Sequence, residues 1–110
     1  EEAIARLQGY EAAGADCLYA PLPPDMDALA RICASVSAPV NALVAGAFTA
    51  QTRSDFARIG VARLSLGSSL ARVTHRLIHD AAGAMFGNGD FTPLGNGISS
   101  DIVDALLTKD

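Results

Sequence analysis

Aromatic and charged side chains are scarce in this chain of 110 residues. Aromatic residues make up 5% of it, tryptophan is absent, and charged residues make up 18%. The basic residues are scattered along the chain and the net charge is −4, which argues against a nucleic-acid surface, because such a surface needs clustered positive charge. No apolar run approaches the roughly 18 residues of a membrane-spanning helix, so we expect no membrane association.

Cysteine is also rare. Cys17 and Cys33 are too few for a disulfide framework and lack the spacing of a zinc motif. Both stand in apolar segments, so we expect buried thiols in a reducing, cytoplasmic compartment. Neither lies in an electropositive turn, which argues against a catalytic thiol.

Hydrophobic residues, by contrast, make up half of the chain. Most are Ala, Leu, Val and Ile, the usual filling of α/β proteins whose strands are covered on both faces. This composition is ample for a core.

Hydrophobic periodicity and turn residues predict the order α-β-α-β-α-β-α-α. Short apolar runs predict buried strands at residues 17–20, 39–44 and 61–66. Apolar stripes at helical spacing predict helices at residues 3–13, from the cap Asp25 to Val36, from a cap at Thr52 or Ser54 to Gly60, from Gly67 to the stop at 87–89, and after a cap at Ser99 or Ser100. Residues 46–51 are predicted to form a loop.

Strands that recur every 20 to 25 residues with helices between them are typical of parallel βαβ units. The glycines in residues 95–97 predict a flexible hinge. We therefore expect an α/β domain over residues 1–94, followed by a hinge and C-terminal helix over residues 95–110.

Three segments, in this order and at this spacing, resemble the isocitrate lyase/phosphoenolpyruvate mutase superfamily. They are residues 10–16 (YEAAGAD), 38–41 (APVN) and 59–67 (IGVARLSLG). The likeness is to the closing third of the short bacterial mutase-like members and extends from about residue 3 to about residue 94.

This resemblance implies the C-terminal part of a (β/α)8 TIM barrel, a fold that takes about 250 residues. The predicted strands would be the sixth (17–20), seventh (39–44) and eighth (61–66) of that barrel. The final helix resembles the region that the family exchanges between neighbouring subunits, so the likeness implies a homo-oligomer assembled through the C-terminal helix.

The resemblance also implies a Mg²⁺-dependent lyase or mutase that makes or breaks C–C or P–C bonds in small 2-oxo acids or phosphonates. In the family, the metal-binding carboxylates and the gating loop lie in the first half of the barrel. The substrate-binding arginine of the fifth strand would lie just before Glu1. We therefore expect no catalytic residue and no metal ligand within residues 1–110.

Two positions depart from the family pattern. Pro21 stands where several family enzymes have a polar residue facing the substrate, and Val44-Ala45 stands where the lyases have a Thr-Glu pair. An activity directed at a phosphonate or oxaloacetate is therefore favoured over cleavage of isocitrate or methylisocitrate.

Asn41 is the best single candidate for substrate binding. A polar amide in an apolar strand is costly unless it is hydrogen-bonded, and barrel active sites lie at the carboxyl ends of the strands. The alternative is a core amide satisfied by a neighbouring strand or loop.

The end of the third predicted strand supplies three further candidates: Ser65, Gly67 and Ser68. Barrel enzymes often bind phosphate or carboxylate on backbone N–H groups at such a turn, with help from the helix N-terminus. The alternative is that Gly67 makes a tight turn and Ser68 or Ser69 caps the helix.

Two other patterns favour structural interpretations. His75 and His79 have the i, i+4 spacing of a metal pair, but no Glu follows His75 and no third ligand is evident, so a solvated helix face is favoured. Asp25 and Asp27 are interpreted as a helix cap and a partner of the helix dipole.

Three functional hypotheses remain. The chain is part of a magnesium-dependent lyase or mutase and inactive alone, or it is a non-catalytic remnant or oligomerisation subunit. A third hypothesis is a half-barrel module that binds a phosphorylated ligand at residues 67–69.

Overall fold

The computed structural model describes residues 1–108. Its elements follow the predicted order, with shorter strands than predicted. The helices are α1 Glu2–Ala12, α2 Met26–Ala34, α3 Arg53–Arg58, α4 Ser69–Asn88 and α5 Ser100–Leu107, and the strands are β1 Leu18–Tyr19, β2 Val40–Leu43 and β3 Arg63–Ser65.

The three strands form one parallel sheet in the order β1-β2-β3. Leu18 pairs with Val40, and Asn41 pairs with both Tyr19 and Arg63 across the sheet. This parallel order follows from the helical connections, since a crossover is needed to bring the next strand back in the same direction.

The helix caps explain where several helices begin. The Asp25 carboxylate accepts from the Ala28 backbone N–H at 2.7 Å, as predicted. Of the alternative caps, Thr52 starts α3 in a reciprocal capping box with Asp55, and Ser99 starts α5.

Two predicted loops are ordered as short 3₁₀ helices. Residues 46–51 were expected to be a loop, but Gly46–Ala50 form a 3₁₀ helix that buries Phe48. The ring of Phe48 meets Phe56 edge-on, with centroids 6.0 Å apart. A second 3₁₀ helix covers Thr92–Asn96 and includes the first two residues of the predicted hinge at 95–97.

The chain divides into two compact units, Glu1–Leu70 and a second unit beginning at Ala71. The first contains the sheet and the buried core, which is Leu7, Leu18, Leu29, Ile32, Val40, Ala42, Phe48 and Phe56. The Glu11 carboxylate joins α1 to the start of β2 by accepting from the Ser37 and Ala38 backbone N–H groups at 2.8 and 2.6 Å.

The second unit contains most of α4 and all of α5. Neither helix contains a buried residue. Most of their large apolar side chains are exposed, among them Leu77 at 66% and Leu106 at 76%. None of the helices within residues 1–108 is both long and apolar enough to span a membrane.

The two cysteines differ from the prediction and from each other. Cys17 is exposed, so the prediction that it is buried was wrong: it precedes β1, whose first residue, Leu18, enters the core instead. Cys33 is half-buried, and the loss of hydration raises the pKa of its thiol.

Candidate functional site

Side chains alternate along the strands, so the sheet has two faces of different character. Leu18, Val40 and Ala42 point to one side and are each only 2% exposed within the core. The register places Tyr19, Asn41 and Arg63 in one row on the opposite face. This second face, which we call the polar sheet face, also includes Leu43 and Ser65.

Asn41 lies at the centre of the polar sheet face and is 5% exposed. Its Nδ2 donates to the Ser65 Oγ at 2.9 Å, and its Oδ1 accepts from the Arg63 Nη1 at 2.9 Å. Two predicted site residues, Asn41 and Ser65, are therefore in direct contact. The amide is also satisfied by the neighbouring strand, as the alternative interpretation required.

Arg63 is the residue that sequence reasoning missed. It is exposed overall, and its guanidinium reaches back across the sheet to Asn41. The available signal was an arginine in a short apolar strand, two residues before Ser65 and hence on the same face.

The Ser65 hydroxyl has one further contact. Its Oγ lies 3.4 Å from the Ala42 carbonyl oxygen, a long separation for a hydroxyl donor. The Ser65 carbonyl in turn accepts from the Val44 backbone N–H at 2.8 Å. Ser65 is thus fixed at the carboxyl ends of β2 and β3.

The turn after β3 depends on glycine. Gly67 has φ +53°, and a Cβ there would lie 3.1 Å from the Leu43 Cδ1. Ser68 beside it is exposed, while the Ser69 hydroxyl donates to the Val44 carbonyl at 2.9 Å. Gly67 therefore makes the tight βα turn, and Ser69 joins the start of α4 to the end of β2.

The loop after β1 begins at the carboxyl end of its strand, on the same side of the sheet as the turn after β3. Within it, Leu22 has φ +50°, a left-handed conformation that is unusual for a residue other than glycine. Its side chain is 66% exposed, and Pro21 before it is exposed as well. The proline-rich segment 21–24 is typical of a loop, and the structure adds the left-handed conformation of Leu22 within it.

The remaining candidates lie elsewhere. His75 and His79 are exposed on α4, where the His79 Nδ1 lies 3.1 Å from the Asp80 carboxylate, in agreement with a solvated helix face. Within residues 1–108, no three His, Cys, Asp or Glu side chains are grouped so that they could hold a metal ion. The residues described here therefore do not fit a Mg²⁺ site by themselves.

Parallel strands joined by helices define the class of α/β proteins to which TIM barrels belong. Residues 1–86 match the family model for phosphoenolpyruvate phosphomutase. The chain belongs to this family, and hence to the isocitrate lyase/phosphoenolpyruvate mutase superfamily, as the three sequence segments predicted.

Two solved structures are similar to the chain. One is described as "a putative lyase/mutase from Burkholderia cenocepacia J2315"; it is 34% identical, with a TM-score of 0.88, over 96% of this chain and 38% of that one. The other is an oxaloacetate acetylhydrolase in complex with the product oxalate, 16% identical, with a TM-score of 0.71, over 96% of this chain and 36% of that one. The second likeness concerns the fold alone.

The chain thus spans less than two fifths of the length of either solved relative. No curated protein matches it significantly.

Proposed function

We propose that this chain is the C-terminal portion of a lyase or phosphonomutase and supplies the sixth, seventh and eighth strands of its (β/α)8 barrel. The observation that carries the proposal is the family match over residues 1–86. β1, β2 and β3 would be those three strands, with the polar sheet face turned toward the barrel interior.

In the complete barrel, the substrate would be a small 2-oxo acid or a phosphonate. Both are compact anions, which hydroxyl and backbone N–H donors recognise well. Ser65, Gly67 and Ser68 lie at the carboxyl end of β3, where barrel enzymes bind their substrates. Together with Asn41, they form the proposed contribution of this chain to substrate binding.

Mg²⁺ is the cofactor proposed for the whole barrel, where it would stabilise negative charge that develops beside a carboxylate. Its ligands would come from other parts of the barrel, since the described residues offer no grouping that fits it. We accordingly propose that the 110 residues alone are inactive.

Assembly is the second part of the proposal. Most large apolar side chains of α4 and α5 are exposed, which is typical of surfaces that are covered by another chain. We propose a cytoplasmic homo-oligomer in which the C-terminal helix contacts a neighbouring copy. The same exposed helices favour the alternative function, a non-catalytic subunit that supports an oligomer.

The test is calorimetric titration with oxalate, a mimic of enolpyruvate, with and without Mg²⁺. Two proteins are compared: the 110-residue chain and the longest open reading frame that contains it. We expect Mg²⁺-dependent binding to the longer protein and none to the short chain.

Each other outcome has a distinct meaning. Binding to the short chain would contradict the proposal that its site is incomplete. A longer protein that fails to bind oxalate, or a stop codon directly upstream of Glu1, would favour the non-catalytic subunit.

A further inference from the structure

The three linked side chains Arg63, Asn41 and Ser65 differ in their capacity to donate and accept hydrogen bonds. A guanidinium only donates, so the group of Asn41 that faces Arg63 must be its carbonyl oxygen. The amide nitrogen then faces Ser65, and because that nitrogen only donates, the Ser65 oxygen must accept. The direction of every hydrogen bond in the row is therefore set by the arginine.

This direction has a consequence for the Ser65 proton. With its oxygen occupied as an acceptor from Asn41, the hydroxyl must direct its own hydrogen elsewhere. The protein acceptor nearest to it is the Ala42 carbonyl, at the long distance of 3.4 Å. An anionic oxygen placed over the end of β3 would accept this hydrogen at a shorter distance and with a stronger, charge-assisted bond.

We propose that the Ser65 hydroxyl is the donor that contacts a carboxylate or phosphonate oxygen of the ligand, and that Arg63 and Asn41 are positioning residues that fix its direction. The inference rests on the proposed function and deepens it. It also reassigns Asn41: at 5% exposure, with both ends of its amide engaged, it acts through Ser65.

The charge of Arg63 strengthens the arrangement. Within residues 1–108, its guanidinium has no carboxylate within salt-bridge distance, whereas Arg6, Arg58 and Arg76 each have one. A positive charge at the head of a chain of hydrogen bonds polarises each bond in turn, which makes the last donor more effective toward an anion.

The experiment is oxalate titration, with Mg²⁺ present, of the longest open reading frame that contains this chain. Ser65→Ala removes the donor, and we expect affinity to fall about ten- to hundredfold, the usual effect of losing a hydrogen bond to a charged group. Ser54→Ala, at an exposed position of α3, is the matched control and should leave the affinity unchanged.

Asn41→Asp tests whether Asn41 fixes the direction of the Ser65 hydroxyl. An aspartate can still accept from Arg63 but cannot donate to Ser65, so the hydroxyl turns its proton to the new carboxylate. Because the added negative charge also repels oxalate, the effect must be measured in two backgrounds. We expect Asn41→Asp to weaken binding more with Ser65 present than with Ser65→Ala, whereas charge repulsion alone would give equal losses.

Arg63→Lys retains a donor toward Asn41 and should keep more affinity than Arg63→Met. Three results would each overturn the inference while the proposed function stands. They are equal losses of oxalate affinity in Arg63→Lys and Arg63→Met, additive losses of binding free energy when Asn41→Asp and Ser65→Ala are combined, and an unchanged affinity of Ser65→Ala. Failure of the unmodified protein to bind oxalate would overturn the proposed function, and the inference with it.

Discussion

Gly67 holds the turn between β3 and α4 in a conformation that side chains disfavour. Its φ is +53°, and the Cβ of an alanine there would approach the Leu43 side chain to 3.1 Å. We expect Gly67→Ala to destabilise the fold by about 1–2 kcal/mol, since a left-handed backbone costs this much for residues with a Cβ. Urea unfolding of the protein encoded by the longest open reading frame that contains this chain, at a fixed protein concentration, measures the change.

Gly83→Ala is the matched control for this prediction. Gly83 lies inside α4 without a positive φ, and a Cβ added there would meet no atom within 4 Å. Alanine should therefore stabilise this helix, by about 0.5–1 kcal/mol. The same sign for both substitutions would contradict the interpretation of the Gly67 turn.

Asp55 is the residue whose titration the local structure changes most clearly. The Thr52 hydroxyl and backbone N–H, followed by Arg58, hold the pKa of the Asp55 carboxyl at about 2. Because this pKa is depressed in the folded state, the carboxylate stabilises the fold above the unfolded pKa of about 4. That contribution should be lost as the pH falls from about 4 through about 2.

NMR titration of the Asp55 carboxyl carbon, in the protein encoded by the longest open reading frame that contains this chain, checks this value directly. Thr52→Ala removes the hydroxyl that contributes most and should raise the pKa of Asp55. In Asp55→Asn, the free energy of unfolding should fall less over this pH range. Titration of Asp55 near pH 4 in that unmodified longer protein would show that the capping box is not formed in solution.

At the scale of elements, α5 combines a good cap with an exposed apolar side. Ser99 accepts from the Ile102 backbone N–H, so the helix begins at a defined residue. Ile102, Leu106 and Leu107 are each more than half exposed. A helix of eight residues is marginal by itself in water, so its stability must come from a surface that covers this side.

Leu106→Lys tests whether that surface belongs to a neighbouring copy. Burial of a leucine contributes about 1.5–3 kcal/mol, so its replacement should weaken self-association about ten- to hundredfold. Sedimentation equilibrium measures the self-association constant, and Asp104→Asn on the same helix is the control. An unchanged constant for Leu106→Lys would remove α5 from the proposed interface.

At the scale of the whole molecule, the sheet is the feature that determines behaviour in isolation. Within residues 1–108, β1 and β3 each pair only with β2, so each strand leaves one edge without a partner. Unpaired edges invite association with other chains, and the exposed side chains of α4 and α5 add to this tendency.

We therefore expect that the isolated 110 residues do not form a stable monomer. Sedimentation velocity over a range of concentrations, combined with thermal melting, measures this. Larger or heterogeneous species are the expected result. A monodisperse species of 11.3 kDa with a cooperative thermal transition would contradict the prediction.

The sequence was sufficient for the local structure of most elements. Periodic apolar residues, together with caps such as Asp25, Thr52 and Ser99, predicted the helices, because these signals act between residues close in the chain. The strands came out shorter than predicted, since strand ends depend on pairing with a neighbour. The short helices at 46–50 and 92–96 lacked a clear periodic signal, because a 3₁₀ helix of five residues completes fewer than two turns.

The sequence alone also predicted the parallel α/β class, from strands that recur with helices between them, and the family, from three segments at a fixed spacing. Only the tertiary structure decided how the candidate site is connected. It joined Asn41 to Ser65 and brought in Arg63, because hydrogen bonds across a sheet depend on register, which no single strand specifies. It likewise placed Cys17 outside the core, since a two-residue strand buries Leu18 and leaves its neighbour to the solvent.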